Sequence, residues 1–384
     1  MSGAIDTCVS NRPSLVFLAI TLLSFLAASS VPTPLYHLYQ ENLHFSPAVL
    51  TLIFGVYAMS LLAALLTVGS LSDHLGRRPV IFVALLLNIL AMLLFINESG
   101  VQWLIAARVM QGFATGMATS VLGAALLDTD RQQGPLVNSV APLLGMACGA
   151  MGASLLVEFA PWPLQLSYWL LLGVFVLQAG YVWRLPESVS PQPGAWASLK
   201  PTLHVPVQAR RALWLALPVD VAVWAVGGFY LSLAPSLVRA ATGSTSNLIG
   251  GGLVAVLTLS GALMIFSLRQ RPADRVLRLG AGMLAMGVML ILAAVHSASL
   301  PLFFFGTLVL GSGFGAGFLG ALRSVVPLAL PHERAGLMSA FYVLSYLAFC
   351  LPALLAGNLT RSFGLIATTA VSYTHLTLPT KRIV

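Results

Sequence analysis

Asp220 and Arg108 are the residues from which a chemistry can be read, because each is an ionisable side chain set inside a long apolar run. The chain has 11 Asp and Glu residues, and nearly all the others fall in polar links, at the ends of apolar runs or near the termini. A carboxyl at such depth requires a cation partner, a cavity or a proton, since an unpaired charge in an apolar medium is costly. The proton is the option that does work, because one carboxyl can load and release it. A hydrogen bond that packs two helices is the plainer alternative. Asp220 shares one helical side with Trp224, Gly227 and Leu231. Arg108, in Arg108-Val-Met-Gln-Gly112, is open to a similar pair of readings. It either modulates a proton site from another helix or is structural, snorkelling or bonding carbonyls. Gln111 can hydrogen-bond nearby, and Gly112 and Gly116 form a small-residue face for close helix contact.

A second cluster is polar and short. Residues 69–78 read Gly-Ser-Leu-Ser-Asp-His-Leu-Gly-Arg-Arg and join two apolar runs at 48–68 and 80–97. Each run is long enough to cross a bilayer, because ~20 residues at ~1.5 Å rise match a ~30 Å hydrocarbon core. A ten-residue link cannot cross back, so it is a hairpin on one side. Arg77 and Arg78 place that side in the cytoplasm, where basic residues are retained. Gly69 lets the departing helix end or pack closely, and Gly76 permits a turn that a Cβ would hinder. Asp73 precedes Arg77 by four residues, within reach if the backbone stays helical between them.

These residues need elements to hold them, and composition says what the elements are. The 384-residue chain is 58% hydrophobic and 8% charged, against about 25% charge in soluble domains. Mean hydropathy is +0.92. It is an integral membrane protein by these numbers, and its +8 net charge sits in short links rather than in a nucleic-acid-binding patch. Cys8, Cys148 and Cys350 are too widely spaced for a disulfide framework or a zinc site, and read as buried small hydrophobes. No nucleotide loop, catalytic triad or metal constellation is present, so neither a cofactor nor an enzyme is expected.

Eleven spans are predicted, at approximately 14–35, 48–68, 80–97, 102–126, 138–158, 165–183, 212–238, 246–268, 279–296, 301–325 and 337–357. With the N-terminus inside, the cytoplasmic links collect Arg77, Arg78, Arg131, Arg184, Lys200 and many more, while the outside receives only Arg239 and Arg361. The Pro-rich, basic stretch 185–211 is a cytoplasmic linker between a six-helix half at 1–184 and a second half at 212–371. The halves read as repeats offset by about 200 residues. Pro34 corresponds to Pro235, the 69–78 hairpin to 269–275, Arg131–Gly134 to Glu333–Gly336, and Gly112 with Gly116 to Gly311 with Gly315. A twelfth span is then due after residue 362, but only about nine apolar residues follow. Residues 372–384 read as a non-native tail on an incomplete twelfth helix.

The pattern Gly-x-x-x-Asp-x-x-Gly-Arg-Arg, placed between a second and a third span, resembles the cytoplasmic signature of the major facilitator superfamily. Only His74 departs, where the family usually has Arg or Lys. Arg108-Val-Met-Gln-Gly112 resembles the family's Arg-x-x-Gln-Gly motif, which is associated with proton-coupled members. The resemblance implies an all-α integral membrane fold of two six-span pseudo-symmetric bundles, twelve spans in all, around a cavity open alternately to each side. It implies a secondary active transporter in a bacterial inner membrane, most similar to drug/proton antiporters, with small molecules, protons and lipid as partners.

Residues 31–36, Val-Pro-Thr-Pro-Leu-Tyr, loosely support the antiporter subclass. Two features depart from it. Ala141-Pro-Leu-Leu-Gly145 keeps only part of the antiporter Gly-Pro-x-x-Gly-Gly, and the first span holds no acid. The resemblance further implies a gating set of Gly69, Asp73, Gly76, Arg77, Arg78 and Asp128 (or Asp130), with charges that hold the cytoplasmic gate shut. Gly145 and Gly149 join Gln111, Gly112 and Gly116 as helix-packing residues. Aromatic residues such as Phe303, Phe304, Phe305, Trp162 and Trp169 are expected to face lipid, while Tyr36 and Tyr39 are candidates for substrate contact near the outer mouth. Proton-coupled uptake of a sugar or organic acid is the alternative transport reading, and a non-transporting receptor is a third.

Overall fold

The computed structural model describes residues 12–363 apart from 98, 245, 331 and 332, with side chains described to Gly357. The expected twelfth span and the tail at 372–384 lie outside the described residues, as does Cys8. Among the described residues, eleven helical segments are long and apolar enough to cross a membrane. They are span 1 (Arg12–Leu43), span 2 (Pro47–Val68), span 3 (Arg77–Ile96), span 4 (Val101–Thr129), span 5 (Gly134–Phe159) and span 6 (Leu166–Arg184). Span 7 (Val207–Ser232), span 8 (Leu248–Leu268), span 9 (Ala273–His296), span 10 (Leu300–Leu328) and span 11 (Arg334–Gly357) follow. Helices are the form such apolar runs take, because in lipid each backbone N–H and C=O needs a partner within its own segment. Starts are marked locally. Ser46 and Ser299 accept from Val49 N and Leu302 N at 3.5 and 3.4 Å, each followed by a proline in the first turn.

Two spans differ from their expected extents for the same reason. Span 1 runs on to Leu43 but breaks at Val31, where Pro32 opens a second helical piece. Span 7 ends at Ser232, and Ala234–Thr242 with Pro235 forms a separate helix. A proline lacks the N–H for the preceding turn, so each helix interrupts there. Pro34 and Pro235 thus sit in corresponding segments, each just past a break.

The packing repeats as well. One apolar core gathers residues from Leu15 to Leu185, and another gathers residues from Ala209 to Ala356. Within the first, spans 1 and 5, 2 and 4, 3 and 4, and 1 and 4 pack together. Spans 7 and 11, 8 and 10, 9 and 10, and 7 and 10 do the same in the second. The two sets meet mainly through span 2 against span 11 and span 5 against span 8.

Glycines set these distances. A Cβ at Gly112 or Gly116 would lie 2.3 or 2.4 Å from carbonyl oxygens of span 2. At Gly311 and Gly315 it would lie 2.4 and 2.1 Å from carbonyl oxygens of span 8. The paired glycines therefore serve equivalent crossings. Gly145 and Gly149 play this part for span 5 against Leu23 and Ala27 of span 1.

Gly149→Ala is expected to cost about 1–3 kcal/mol, because its Cβ would meet Ala27 O at 2.1 Å. Gly152→Ala, one turn along and with nothing within 4 Å, should be neutral or slightly stabilising. Thermal unfolding of the two variants in detergent micelles measures the difference.

Candidate functional site

The 69–78 hairpin is built around a backbone break. Ser72–Leu75 is one helical turn, and Gly76 then adopts φ +94°, a conformation that side-chain-bearing residues rarely take. The helix is therefore not continuous from Asp73 to Arg77, contrary to the condition set for their pairing, yet the pair forms. Arg77 Nη1 lies 2.5 Å from Asp73 Oδ1 and 2.6 Å from Ser72 Oγ, while its Nε lies 3.0 Å from Asp128 Oδ2. The contact that helical spacing was expected to give thus forms across the break at Gly76. The described carboxylate contacts of Arg77 run to Asp73 and Asp128, while Asp130 Oδ1 accepts from Gln132 N and Gln133 N at 2.8 Å each.

A residue that sequence reasoning missed completes the cluster. Glu187, just beyond span 6, accepts from the backbone N–H groups of Arg77 and Arg78 at 2.8 and 3.0 Å. A carboxylate there meets unpaired N–H groups and the positive end of the helix dipole. Ser188 Oγ donates to Asp128 Oδ2 at 2.9 Å, Gln192 N to His74 O at 2.9 Å, and Ser70 Oγ to Ser198 O at 3.2 Å. The linker is thus strapped across the hairpin. Nothing local in the sequence signals it, since Glu187 lies 110 residues from Arg77.

A cavity of about 510 Å³ lies between the two sets of spans. Gly69, Ser70, Asp73, Lys200, Thr202 and Ala335 border its mouth on the hairpin face. The far face is closed. There Thr33 Oγ1 donates to Leu231 O at 2.9 Å, and Glu158 Oε2 accepts from Asn247 N and Nδ2 at 3.1 and 3.0 Å. Phe54 and Phe349 meet at 4.9 Å between centroids. The described ion pairs of the hairpin lie within spans 2–4, so none bridges to spans 7–11.

Arg108 borders the cavity at its inner end although it is only 1% exposed. Its Nη1 donates to Ser29 O at 3.0 Å and to Gln111 Oε1 at 2.7 Å, and Nε to Tyr36 Oη at 3.1 Å. Nη2 also donates to Tyr36 Oη. The guanidinium lies 4.8 Å from the centroid of the Tyr57 ring. Gln111 Nε2 in turn donates to Ala28 O at 2.9 Å, tying span 4 to span 1.

Asp220 lies in another place. It is 1% exposed, accepts from Ser345 Oγ at 2.7 Å through Oδ2, and leaves Oδ1 without a hydrogen-bond partner. The Trp224 indole interacts with the carboxylate without reaching hydrogen-bonding geometry. Trp224, Gly227 and Leu231 line the cavity, whereas Asp220 stands behind that wall. The structure does not bring Asp220 to Arg108, and Arg108 has no carboxylate among the described ion pairs.

Several expectations need correction. Tyr39 is buried and bonded to Tyr168, and Tyr36 bonds Arg108 and lines a small cleft on the far face rather than the central cavity. Phe303 is fully buried rather than lipid-facing, while Phe305, Trp162 and Trp169 are exposed. Of the two described cysteines, Cys148 is exposed and Cys350 is buried. A 3.6-residue period assigns faces poorly when every face is apolar, because lipid and core select the same residues. The cavity wall of Tyr342, Tyr346 and Phe349 was also missed, for that reason.

Comparison with known proteins agrees with this architecture. A family model described as the Major Facilitator Superfamily matches residues 17–370. The "Multidrug resistance protein MdtL" of Klebsiella pneumoniae (strain 342) is 28% identical over 172 residues, which is 41% of this chain and 43% of that relative. The protein of the same name from Salmonella typhi is 27% identical over 321 residues, covering 78% of this chain and 76% of the relative. Among solved structures, a bacterial homologue of the human lysosomal transporter Spinster, inward-facing and unoccupied, superposes with a TM-score of 0.73 at 14% identity. That match covers 99% of this chain and 95% of the other.

Removing the Glu187 carboxylate tests the strap. Glu187→Ala should cost the docked linker about 1–2 kcal/mol, a roughly 5- to 30-fold shift toward release. Trypsin cleavage after Arg184, at the Arg184–Leu185 bond, should accelerate accordingly. An unchanged cleavage rate would show that the linker is held by its other contacts.

Proposed function

This chain belongs to the Major Facilitator Superfamily, and we propose that it expels small organic molecules in exchange for protons by alternating access. It is a multi-pass membrane transporter rather than an enzyme. The observation that carries the finer reading is the cavity, open on the hairpin face and closed on the other between two sets of spans that pack alike. In this reading residues 1–184 and 212–371 are the two halves, and the strapped linker 185–211 lies on the cytoplasmic side with the N-terminus. The membrane is the bacterial inner membrane. The name carried by the relatives makes drugs the first substrates to screen.

Asp220 is assigned the proton. Support comes from its burial, from the absence of a described cation partner and from an oxygen left without a hydrogen bond. A carboxylate in such a place is costly to keep charged and unpaired. Arg108 modulates the coupling from the opposite side of the cavity. Asp73, Arg77 and Asp128, on the hairpin supported by Gly69, Gly76 and Arg78, control the gate rather than touch substrate.

Transport in inside-out vesicles under an imposed pH gradient, screened across dyes and antibiotics, tests the function. Gradient-driven accumulation in the vesicles is the expected result, and depletion would favour uptake. Asp220→Asn is expected to abolish pH-driven transport yet permit substrate binding or passive exchange. Undiminished pH-driven efflux would remove Asp220 from the mechanism. Replacing Asp73 or Arg77 should slow exchange while leaving equilibrium binding within a few-fold. A large affinity loss with normal turnover would contradict the gate assignment.

A further inference from the structure

The charge of the cavity has a direction. Lining the walls at membrane depth are apolar, aromatic and hydroxyl side chains, and the formally charged group among the lining residues there is Arg108. Its partners are all neutral: a carbonyl, an amide oxygen, a phenol and a ring face. Such dipoles solvate a guanidinium, but they do not cancel its charge. The other charged lining residues, Asp73 and Lys200, sit at the mouth, where Asp73 is already paired with Arg77. Opposite Arg108 stands an aromatic wall in which Trp224 lies 4.7 Å from Tyr346 and 5.8 Å from Phe349, centroid to centroid.

From this we infer that the cavity selects amphipathic aromatic anions, with a carboxylate or sulfonate held toward Arg108 and Tyr57 and a planar ring against Trp224, Tyr346 and Phe349. The inference rests on reading this cavity as the substrate site. A cationic aromatic molecule would find ring faces attractive. It would also have to approach an uncancelled positive charge across a wall of low dielectric, with no acid at that depth among the described lining residues to offset it. Asp220 does not serve, because it is buried behind Trp224 and bonded to Ser345. A volume of about 510 Å³ suits a drug-sized molecule.

Binding of three matched probes to the purified full chain in detergent, near neutral pH, decides the matter: 2-naphthoate, 2-naphthamide and 2-naphthyltrimethylammonium. The anion is expected to bind about tenfold more tightly than the cation, as a charge-assisted contact would give. In Arg108→Gln that preference should vanish while the neutral amide binds within about threefold of its original affinity, which also reports that the cavity is intact. Arg108→Lys should keep the sign of the preference. Equal or tighter binding of the cation by the unaltered chain, binding of none of the three, or an undiminished anion preference in Arg108→Gln would overturn the inference. Counterflow in proteoliposomes separates it from the transport reading. Anion-selective binding without counterflow defeats transport alone, whereas counterflow of the cation and not the anion defeats the inference alone.

Discussion

Helices in a bilayer gain little from hiding apolar surface, because lipid is as apolar as leucine, so this bundle depends on how closely its backbones can approach. Close approach is bought with glycine. At Gly112, Gly116, Gly311 and Gly315 a Cβ would fall inside the contact distance of a carbonyl on the neighbouring span. These crossings bring span 4 onto span 2 and span 10 onto span 8. They leave the remaining faces of spans 2 and 8 for span 11 and span 5 of the other set. The cavity is what is left where those cross-set contacts do not reach.

Charge is placed under the same scarcity of solvent. Arg77 lies at the rim, where two carboxylates and a serine satisfy it and the linker covers it. Arg108, buried inside the bundle, has no acid among the described ion pairs and is solvated by dipoles from spans 1, 2 and 4. Those acceptors are useful twice, since the bonds to Ser29 O and Tyr36 Oη also tie span 4 to span 1. Asp220 has the sparsest surroundings, with one hydroxyl and one oxygen unmatched. Structural satisfaction falls from Arg77 through Arg108 to Asp220. The least satisfied group is the one whose protonation can change the balance between states.

Much of this was legible in the sequence, for reasons that can be located. Spans could be drawn because a bilayer demands about twenty apolar residues, and the hairpin because Gly76, Asp73 and two arginines are needed together. The duplication showed at Gly112 and Gly116 against Gly311 and Gly315, since a backbone crossing tolerates few residues. What stayed hidden depended on partners far apart in the chain. Glu187 capping span 3, Tyr36 holding Arg108 and Ser345 meeting Asp220 are single residues with no local period. Aromatic faces were misjudged because Phe303 and Phe305 are two residues apart and equally apolar, yet one is in the core and the other on the surface.

The far-face seal shows how the proposed alternation could proceed without unfolding anything. Its described polar links between the two sets are few: Thr33 to Leu231, and Asn247 to Glu158. Elsewhere the seal combines the Phe54–Phe349 contact with small-residue crossings, Gly251 against Ala150 and Ser154 and Gly357 against Thr51. The small-residue crossings have no long side chains to disentangle, so in the proposed alternation one set rolls on the other with the loss of one aromatic contact and a few hydrogen bonds that water can replace. The hairpin face is different, because its cluster is confined to spans 2–4 and the linker. Closing that mouth would carry an already assembled charge cluster toward spans 7–11 as one body. The strap matters here, for Glu187 ties the chain that joins the two proposed halves to the hairpin that the proposed alternation would move.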